Sequence, residues 1–187
     1  ATISAAIVYA HYRAPLQGVL SHAHHLLDDI AKDKTGRNSL ATSVWKTGGP
    51  VLTWSAPWDI VLMQGSDSTT NVDYLVQQMN REALSSSFLY TLRDRYERAK
   101  SFSDNVEENR LIFNQLAAAE YKRIVDAKSH SPLDIDSAKK EVELLIDLCL
   151  RSWWDENSNL HRAEGEFQLD GALLVRFLAQ KEGKGNE

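Results

Sequence analysis

The sequence has few features of a membrane, disulfide-bonded or secreted protein. Only one of its 187 residues is a cysteine, Cys149, so no internal disulfide can form and a reducing compartment is indicated. No apolar run approaches the roughly 20 residues that a membrane-spanning helix needs. The apolar segment Ala5–Ala10 is too short for the core of a signal peptide, and no basic residue precedes it. These absences predict a cytoplasmic protein that does not contact a membrane.

A broad basic surface is also missing. The formal net charge is −5, with 21 Lys and Arg against 26 Asp and Glu, which argues against a protein that holds nucleic acid on one basic face. The charge is uneven along the chain. Residues 1–65 carry five basic and four acidic side chains, a net charge of +1, so residues 66–187 carry −6. The first part suits local contact with phosphates, and the second suits a surface that faces protein or solvent.

The first 65 residues begin with a strand signal and a helix signal. Ile3–Tyr9, apolar apart from Ser4 and containing three β-branched residues, is typical of a strand covered on both faces. Apolar residues at steps of three and four then predict an amphipathic helix from Leu16 to Lys32. Pro15 suits the first turn of that helix, and Gly36 suits a stop just after its end.

Two strand signals follow this helix. A strand is predicted over Leu40–Lys46, and the turn at residues 48–50 leads to a hairpin partner at Val51–Trp54. The order strand, helix, strand, strand indicates an α+β domain with an incomplete sheet, which we place at residues 1–65.

Residues 66–187 carry only helix signals. A polar break at Ser66–Asn71 separates them from the first part, and Asp134 is a good N-cap for the fourth helix. The sequence therefore predicts a second domain, 66–187, that is an all-α helical bundle. Its five predicted helices are Asn71–Glu82, Ser87–Lys100, Val106–Lys128, Ile135–Glu156 and Phe167–Glu182.

The segment Ala31-Lys32, followed by Gly36-Arg37-Asn38, is the sharpest local pattern. Helix physics alone explains it, because a lysine in the last turn is favoured by the helix dipole and Gly-Arg-Asn makes a sound helix exit. Its context adds a second explanation. A strand with Ser4-Ala5-Ala6 comes first, and His11-Tyr12-Arg13-Ala14-Pro15-Leu16 leads into the helix.

Together these residues resemble the end of diguanylate-cyclase-type palm domains, and more specifically the second palm domain of the large subunit of type III CRISPR effector complexes. That family has Ser-Ala-Gly on the strand, then His-x-Lys-x-Pro-Leu, then a helix ending in Ala-Lys. Ala6 and Arg13 are mild departures, and Lys46-Thr47-Gly48-Gly49 departs from the usual Arg-Ser-Gly of the closing hairpin. The resemblance implies a partial ferredoxin-like βαββ segment followed by a helical bundle.

In that family the palm domain makes cyclic oligoadenylates from ATP, using divalent metal ions (Mg or Mn) held by a Gly-Gly-Asp-Asp turn that precedes the strand seen here. This sequence contains no such turn, and its only adjacent aspartates, Asp28-Asp29, lie within the predicted helix. With no initiator Met either, the chain is predicted to be the carboxyl-terminal part of the subunit. Alone it would be inactive, without catalytic residues, metal ligands or a cofactor of its own.

The resemblance implies that Lys32 reaches the phosphates of a bound nucleotide and that Ser4 lines the same site. Arg37 and His11 are further candidates, and the structural alternative for His11 is a hydrogen-bonding residue at a strand end. The histidines at 22, 24 and 25 do not predict a metal site, because no carboxylate or cysteine completes a set at ligand spacing.

Trp153 and Trp154 are adjacent on a predicted helix and would point about 100° apart, so one could lie at a partner surface; packing of both in the core is the alternative. Arg95 and Arg98 form part of a basic stripe that could contact RNA backbone at a partner interface, and a solvated, ion-paired surface is the alternative. The resemblance implies other effector subunits as partners, including the small helical subunit, with guide RNA and target RNA contacted indirectly.

Two other functions remain open from the sequence. One is a free-standing helical protein-interaction module, against which the run from His11 to Leu16 argues. The other is a truncated diguanylate-cyclase-type domain, against which the missing acidic turn argues.

Overall fold

The computed structural model describes residues 2–62, 70–80, 86–99, 106–128 and 132–182, apart from some side chains within the helices and strands. Residues 66–69 of the predicted polar break Ser66–Asn71 lie outside these ranges. The chain divides into two compact units. The first comprises residues 1–64 and 151–163, and the second comprises residues 65–150 and 164–187.

The first unit is built on a three-stranded sheet. Strand β1 (Ala5–Ala10) leads through helix α1 (Leu16–His25) and a π-helical segment (Leu26–Lys34) into strand β2 (Ser39–Lys46), and strand β3 (Gly49–Pro57) follows. The strand order is β1-β2-β3, with β1 parallel and β3 antiparallel to the central β2. The predicted order strand, helix, strand, strand and the α+β class are thus confirmed.

Burial differs between β1 and β2. The helix-facing side chains of β1, Ala6 and Val8, pack against a core that includes Leu26 and Ala31. On the other face Ile7 stays 42% exposed. The prediction of a strand covered on both faces is therefore wrong for β1, which pairs only with β2 in the described part of the chain. An apolar run cannot distinguish an edge strand from a central one, because periodicity does not report the neighbours.

The helix after β1 changes type partway along. It begins at Leu16 as an α-helix and continues as a wider π-helix to Lys34, two residues beyond the predicted end. The backbone N–H of Thr35 donates to the carbonyl of Ile30, five residues back, at 2.9 Å. Such i to i+5 bonding is rare and is often found at functional sites. Gly36 follows the helix end as predicted, at a φ of 80° that suits glycine.

The second unit is mainly helical, and its core includes the buried side chains of helix α6 (Ile135–Cys149). The N-cap of that helix is Asp134, as predicted, since its carboxylate accepts hydrogen bonds from the backbone N–H groups of Asp136 and Ser137. Cys149 is fully buried at its end, and burial raises the pKa of the thiol to about 12. After the short helix α2 (Trp58–Val61), the longer helices are α3 (Asn71–Asn80), α4 (Ser86–Ala99), α5 (Val106–Lys128), α6 (Ile135–Cys149) and α7 (Asp170–Glu182).

The predicted helix Ile135–Glu156 is wrong beyond Cys149. The chain turns there into strand β4 (Leu150–Trp154), which pairs with strand β5 (Leu160–Phe167). Residues 150–167 are thus not part of an all-α bundle, and residues 151–163 group with the first unit. The apolar spacing of 144–154 fits a helix locally, and the strand forms because β5 offers hydrogen-bonding partners.

The loop between these two strands is stabilised by one carboxylate. Asp155 accepts hydrogen bonds from the backbone N–H groups of Asn157 and Asn159, and from the ring of His161 at 2.9 Å. These bonds, that from His161 above all, hold the pKa of Asp155 well below its usual range. In the described ranges no helix combines the length and the apolar character that a bilayer crossing requires.

Candidate nucleotide-binding cleft

Three predicted nucleotide-binding residues lie around one open cleft. Ser4, Lys32 and Arg37 line it together with Thr2, and its volume is about 200 Å³. Whole small-molecule sites usually measure roughly 300–1,000 Å³, so this cleft is smaller than a complete small-molecule site. Two cations and two hydroxyl groups give it donors and positive charge, and no acidic side chain lines it among the residues that the structure describes.

The fold explains why residues 4 and 32 meet. In a strand–helix–strand unit the helix runs back along the sheet, so its carboxyl end returns to the end of the sheet where the first strand begins. Ser4 lies just before β1, and Lys32 lies near the end of the π-helical segment. Arg37 lies near Ser4 and Lys32 because the turn that joins the π-helical segment to β2 is at this end of the sheet.

Arg37 occupies an unusual backbone conformation. Gly36, Arg37 and Asn38 have φ values of 80°, 67° and 46°, three successive left-handed residues of which two carry side chains. Such residues cost of order 1–3 kcal/mol each, and they persist where the surroundings hold them. The backbone N–H of Arg37 donates to the carbonyl of Ala31 at 3.1 Å, and the same carbonyl accepts the hydroxyl of Ser39 at 2.6 Å.

The cations of the cleft are accessible. Lys32 donates to Asp28 at 2.6 Å, with side chains 40% and 55% exposed, and this hydrogen bond holds the pKa of Asp28 below its usual range. An exposed pair of this kind contributes only about 0–1 kcal/mol, so an anion can compete for the ammonium group. Arg37 is exposed, and its guanidinium forms no hydrogen bond or ion pair with the described residues.

Two residues that the sequence did not indicate belong to this region. Thr2 lines the cleft together with Ser4, which lies two residues further along the segment that precedes β1. Trp58 binds the main chain next to the lining residues: its indole Nε1 donates to the carbonyl of Ile3 at 2.8 Å, and its backbone N–H donates to the carbonyl of Asn38 at 3.1 Å. The i, i+2 spacing of the hydroxyls could have suggested Thr2, whereas Trp58 carries no local signal.

His11 is not part of the cleft. It follows the far end of β1, which at about 3.3 Å per residue lies roughly 20 Å from Ser4. Its ring nitrogen Nδ1 accepts the backbone N–H of Arg13 at 3.2 Å, and its backbone N–H donates to the carbonyl of Trp45. His11 thus has the contacts of a hydrogen-bonding residue at a strand end.

The histidines of the first helix have separate partners. His22 Nε2 lies 2.9 Å from the hydroxyl of the buried Ser43, and burial, with a smaller contribution from His25, lowers the pKa of His22. His25 pairs with Asp29. Across the described ranges, no three His, Cys, Asp or Glu side chains come together as a metal site.

The two tryptophans predicted at a partner surface lie on strand β4, so their side chains point to opposite faces of the strand. Trp153 stacks on His161, with ring centroids 5.5 Å apart, and the guanidinium of Arg151 lies 5.2 Å from the Trp153 ring centroid. The backbone N–H of Trp154 donates to the carbonyl of Thr35 at 3.0 Å. The helical geometry assumed for this pair is therefore wrong.

Arg95 forms an ion pair with Glu120 within the second unit. Its guanidinium lies 2.9 Å from the carboxylate of Glu120, which also binds Arg123 at 2.5 Å. The Glu120 side chain is only 1% exposed, and its pKa is lowered chiefly by the hydrogen bond from Arg123 and further by Arg95. The side chain of Arg98 lies outside the described residues, so its predicted partner role stays a prediction.

The protein is thus of mixed α+β class, with a βαββ start, an open cleft lined by two cationic and two hydroxyl side chains, and a largely helical remainder. The family model of the second palm domain of Cas10/Cmr2 matches residues 1–41, the stretch that contains Ser4, Lys32 and Arg37. This match supports a relationship to a Cas10-type large subunit over that stretch and agrees with a ferredoxin-like start. No curated protein matches the chain, and no solved structure matches it.

Proposed function

We propose that this chain is part of the large subunit of a type III CRISPR effector complex, and that the cleft of Thr2, Ser4, Lys32 and Arg37 binds the phosphates of ATP. One observation carries the nucleotide site: residues far apart in sequence bring two cations and two hydroxyl groups to one accessible cleft. The palm-domain match over residues 1–41 supports the assignment to the large subunit.

The side chains suit different tasks on a polyphosphate. Arg37 offers a planar fork of N–H donors that can bind two phosphate oxygens at once. Lys32 offers a mobile point charge, and the hydroxyls of Ser4 and Thr2 can donate to the remaining oxygens. Because the cleft is smaller than a whole nucleotide site, the base and ribose would lie outside it.

For the intact subunit we propose synthesis of cyclic oligoadenylates from ATP in the cytoplasm. Divalent metal ions would neutralise charge on the α-phosphate as a 3′-hydroxyl group attacks it. The carboxylates that hold such ions would come from outside the described residues, which contain no metal-ligand cluster. The task of Lys32 and Arg37 would be to bind and orient phosphates, and the chain alone would not turn over ATP.

For the second unit we propose a role in assembly. Its helices would dock on other subunits of the effector, including the small helical subunit, while guide RNA and target RNA are contacted indirectly. Replacing residues 65–150 with a short flexible linker and truncating after Ala163 removes the second unit and keeps residues 151–163 of the first. This deletion should weaken co-purification of the large subunit with the small subunit. Full retention of the small subunit would contradict this role.

Binding of ATP by the chain, followed by calorimetry, tests the cleft. Lys32→Ala and Arg37→Ala should each weaken binding about tenfold or more, since a hydrogen bond to a charged group contributes about 1.5–3 kcal/mol. Lys34→Ala is the matched control: Lys34 lies two residues from Lys32 in the same helix end, is exposed and does not line the cleft. Equal affinity of Lys32→Ala, Arg37→Ala and the control would contradict the site.

A further inference from the structure

The cleft has two walls that Trp58 contacts: the hydroxyl wall, formed by Thr2 and Ser4, and the Arg37 wall. The indole Nε1 of Trp58 donates to the carbonyl of Ile3, the residue between Thr2 and Ser4, at 2.8 Å. Its backbone N–H donates to the carbonyl of Asn38, the residue after Arg37, at 3.1 Å. One residue at the start of α2 therefore binds the main chain of both cleft walls.

The hydroxyl wall depends on the hydrogen bond from the Trp58 indole to Ile3, because few other contacts hold it. Strand β1 begins at Ala5, so the segment that carries Thr2 and Ser4 precedes the ladder that joins β1 to β2. Ile3 itself is 71% exposed, which leaves little packing to hold the segment. The indole hydrogen bond thus supplies a specific anchor where strand pairing does not.

The Arg37 wall is a turn whose backbone conformation also needs support from neighbouring residues. Arg37 and Asn38 both have positive φ values, which side chains other than glycine seldom adopt without support from their surroundings. The bond from the Trp58 backbone to Asn38 supports this turn. Because the main chain supplies this donor, a substitution of the Trp58 side chain leaves it in place.

We infer that Trp58 is a positioning residue for the nucleotide site: it sets the spacing between the hydroxyl wall and the Arg37 wall without touching the ligand itself. This inference rests on the proposed function of the cleft. Trp58 does not line the cleft, so it acts through the residues that do. The side chain of Trp58 positions the hydroxyl wall, and its backbone N–H supports the Arg37 wall.

The test replaces the indole and keeps the ring. Trp58→Phe removes the Nε1 donor and preserves an aromatic side chain and the backbone N–H. The variant should bind ATP about three- to tenfold more weakly than the original chain, the range expected for one hydrogen bond. Trp45→Phe is the control, because Trp45 packs on His22 and Gly18 at the other end of the sheet, and its affinity should stay within about twofold.

A double-mutant cycle separates positioning from general destabilisation. If the indole acts through the hydroxyl wall, Trp58→Phe should change affinity less than about twofold when Thr2 and Ser4 are both already alanine. A merely structural role would weaken binding by the same factor in both backgrounds. Equal factors, or unchanged affinity in Trp58→Phe alone, would overturn the inference.

A measurement without ligand distinguishes this inference from the proposed function. The backbone amide of Ser4 should have an NMR order parameter near 0.85 in the original chain and below about 0.6 in Trp58→Phe. If the original chain does not bind ATP, the proposed function fails and the order parameter alone decides whether Trp58 holds the wall. If ATP binds and depends on Lys32, but Ser4 is equally ordered in both chains, the function stands and the inference fails.

Discussion

The carbonyl oxygen of Trp154 lies directly against Gly36: a Cβ atom added to that glycine would come within 2.1 Å of it. The backbone N–H of Trp154 also donates to the carbonyl of Thr35, at 3.0 Å. Strand β4 thus contacts the turn that carries Arg37, from a place far along the chain. Two features therefore require glycine at position 36: its φ of 80° and the close approach of Trp154.

Gly36→Ala should therefore destabilise the chain. The alanine would combine a left-handed conformation with a clash against backbone that has little freedom to move. We expect the free energy of unfolding to fall by about 2–4 kcal/mol, in the range of strained backbone positions and overpacked sites. Urea unfolding followed by circular dichroism measures the change.

Gly48→Ala is the matched control for that substitution. Apart from its chain neighbours, no atom of the described residues lies within 4 Å of a Cβ added at Gly48, which also lacks the positive φ of Gly36. Its stability should stay within about 0.5 kcal/mol or rise slightly, because alanine restricts the unfolded chain. Similar losses in the two variants would contradict the close contact between β4 and the turn.

Asp28→Asn should strengthen binding of ATP. The Asp28 carboxylate partly neutralises Lys32 at 2.6 Å, so its removal leaves the ammonium group free for phosphate. The exposed pair contributes about 0–1 kcal/mol, which corresponds to a gain in affinity of up to about fivefold. Calorimetric titration at low and high salt should show the gain shrinking as salt rises, since salt screens exposed charges.

Asp29→Asn separates this local effect from net charge. It changes the total charge by the same amount, but Asp29 pairs with His25 and not with Lys32. Its affinity for ATP should rise less than that of Asp28→Asn. Equal gains in the two variants would show that only the overall charge of the helix matters.

Glu120→Gln should weaken the second unit in a pH-dependent way. The buried carboxylate binds Arg95 and Arg123, so neutralising it should lower the free energy of unfolding by about 1–3 kcal/mol near pH 7. Because its pKa is lowered in the folded state, ionised Glu120 contributes stability above the unfolded value of about 4.3. That contribution is lost as the pH falls further, so the two chains should converge in acid.

Denaturant titrations at several pH values check this behaviour. Glu143→Gln is the control, because Glu143 is exposed on α6, and its stability should match the original chain at every pH. A constant difference between Glu120→Gln and the original chain from pH 7 down to pH 3 would contradict a role for the carboxylate charge.

Local sequence signals predicted most of the elements. Helix α5 has the predicted bounds, Val106–Lys128, because its ends depend on nearby residues. Asp134 caps α6 as expected, since a cap needs only the backbone of the next three residues. The turn at Gly36 is confirmed for the same reason.

The candidate cleft was predictable in part. The pattern around Ser4, Lys32 and Arg37 indicated these residues, and the structure places them together, although their binding role stays a prediction. Trp58 could not be predicted, because it acts through carbonyl groups of residues far from it in sequence. His11 was indicated by the same pattern but lies at the opposite end of β1.

Short-range periodicity and local hydrogen bonds specify the α+β start, the helical character of most of the remainder and the ends of helices with strong caps, so these features were predictable from the residues alone. The partial exposure of β1 and the end of the helix at Cys149 depend on contacts with distant residues. Both have the same cause. A strand takes its position from partners elsewhere in the chain, here β2 for β1 and β5 for β4, and no local pattern specifies those partners.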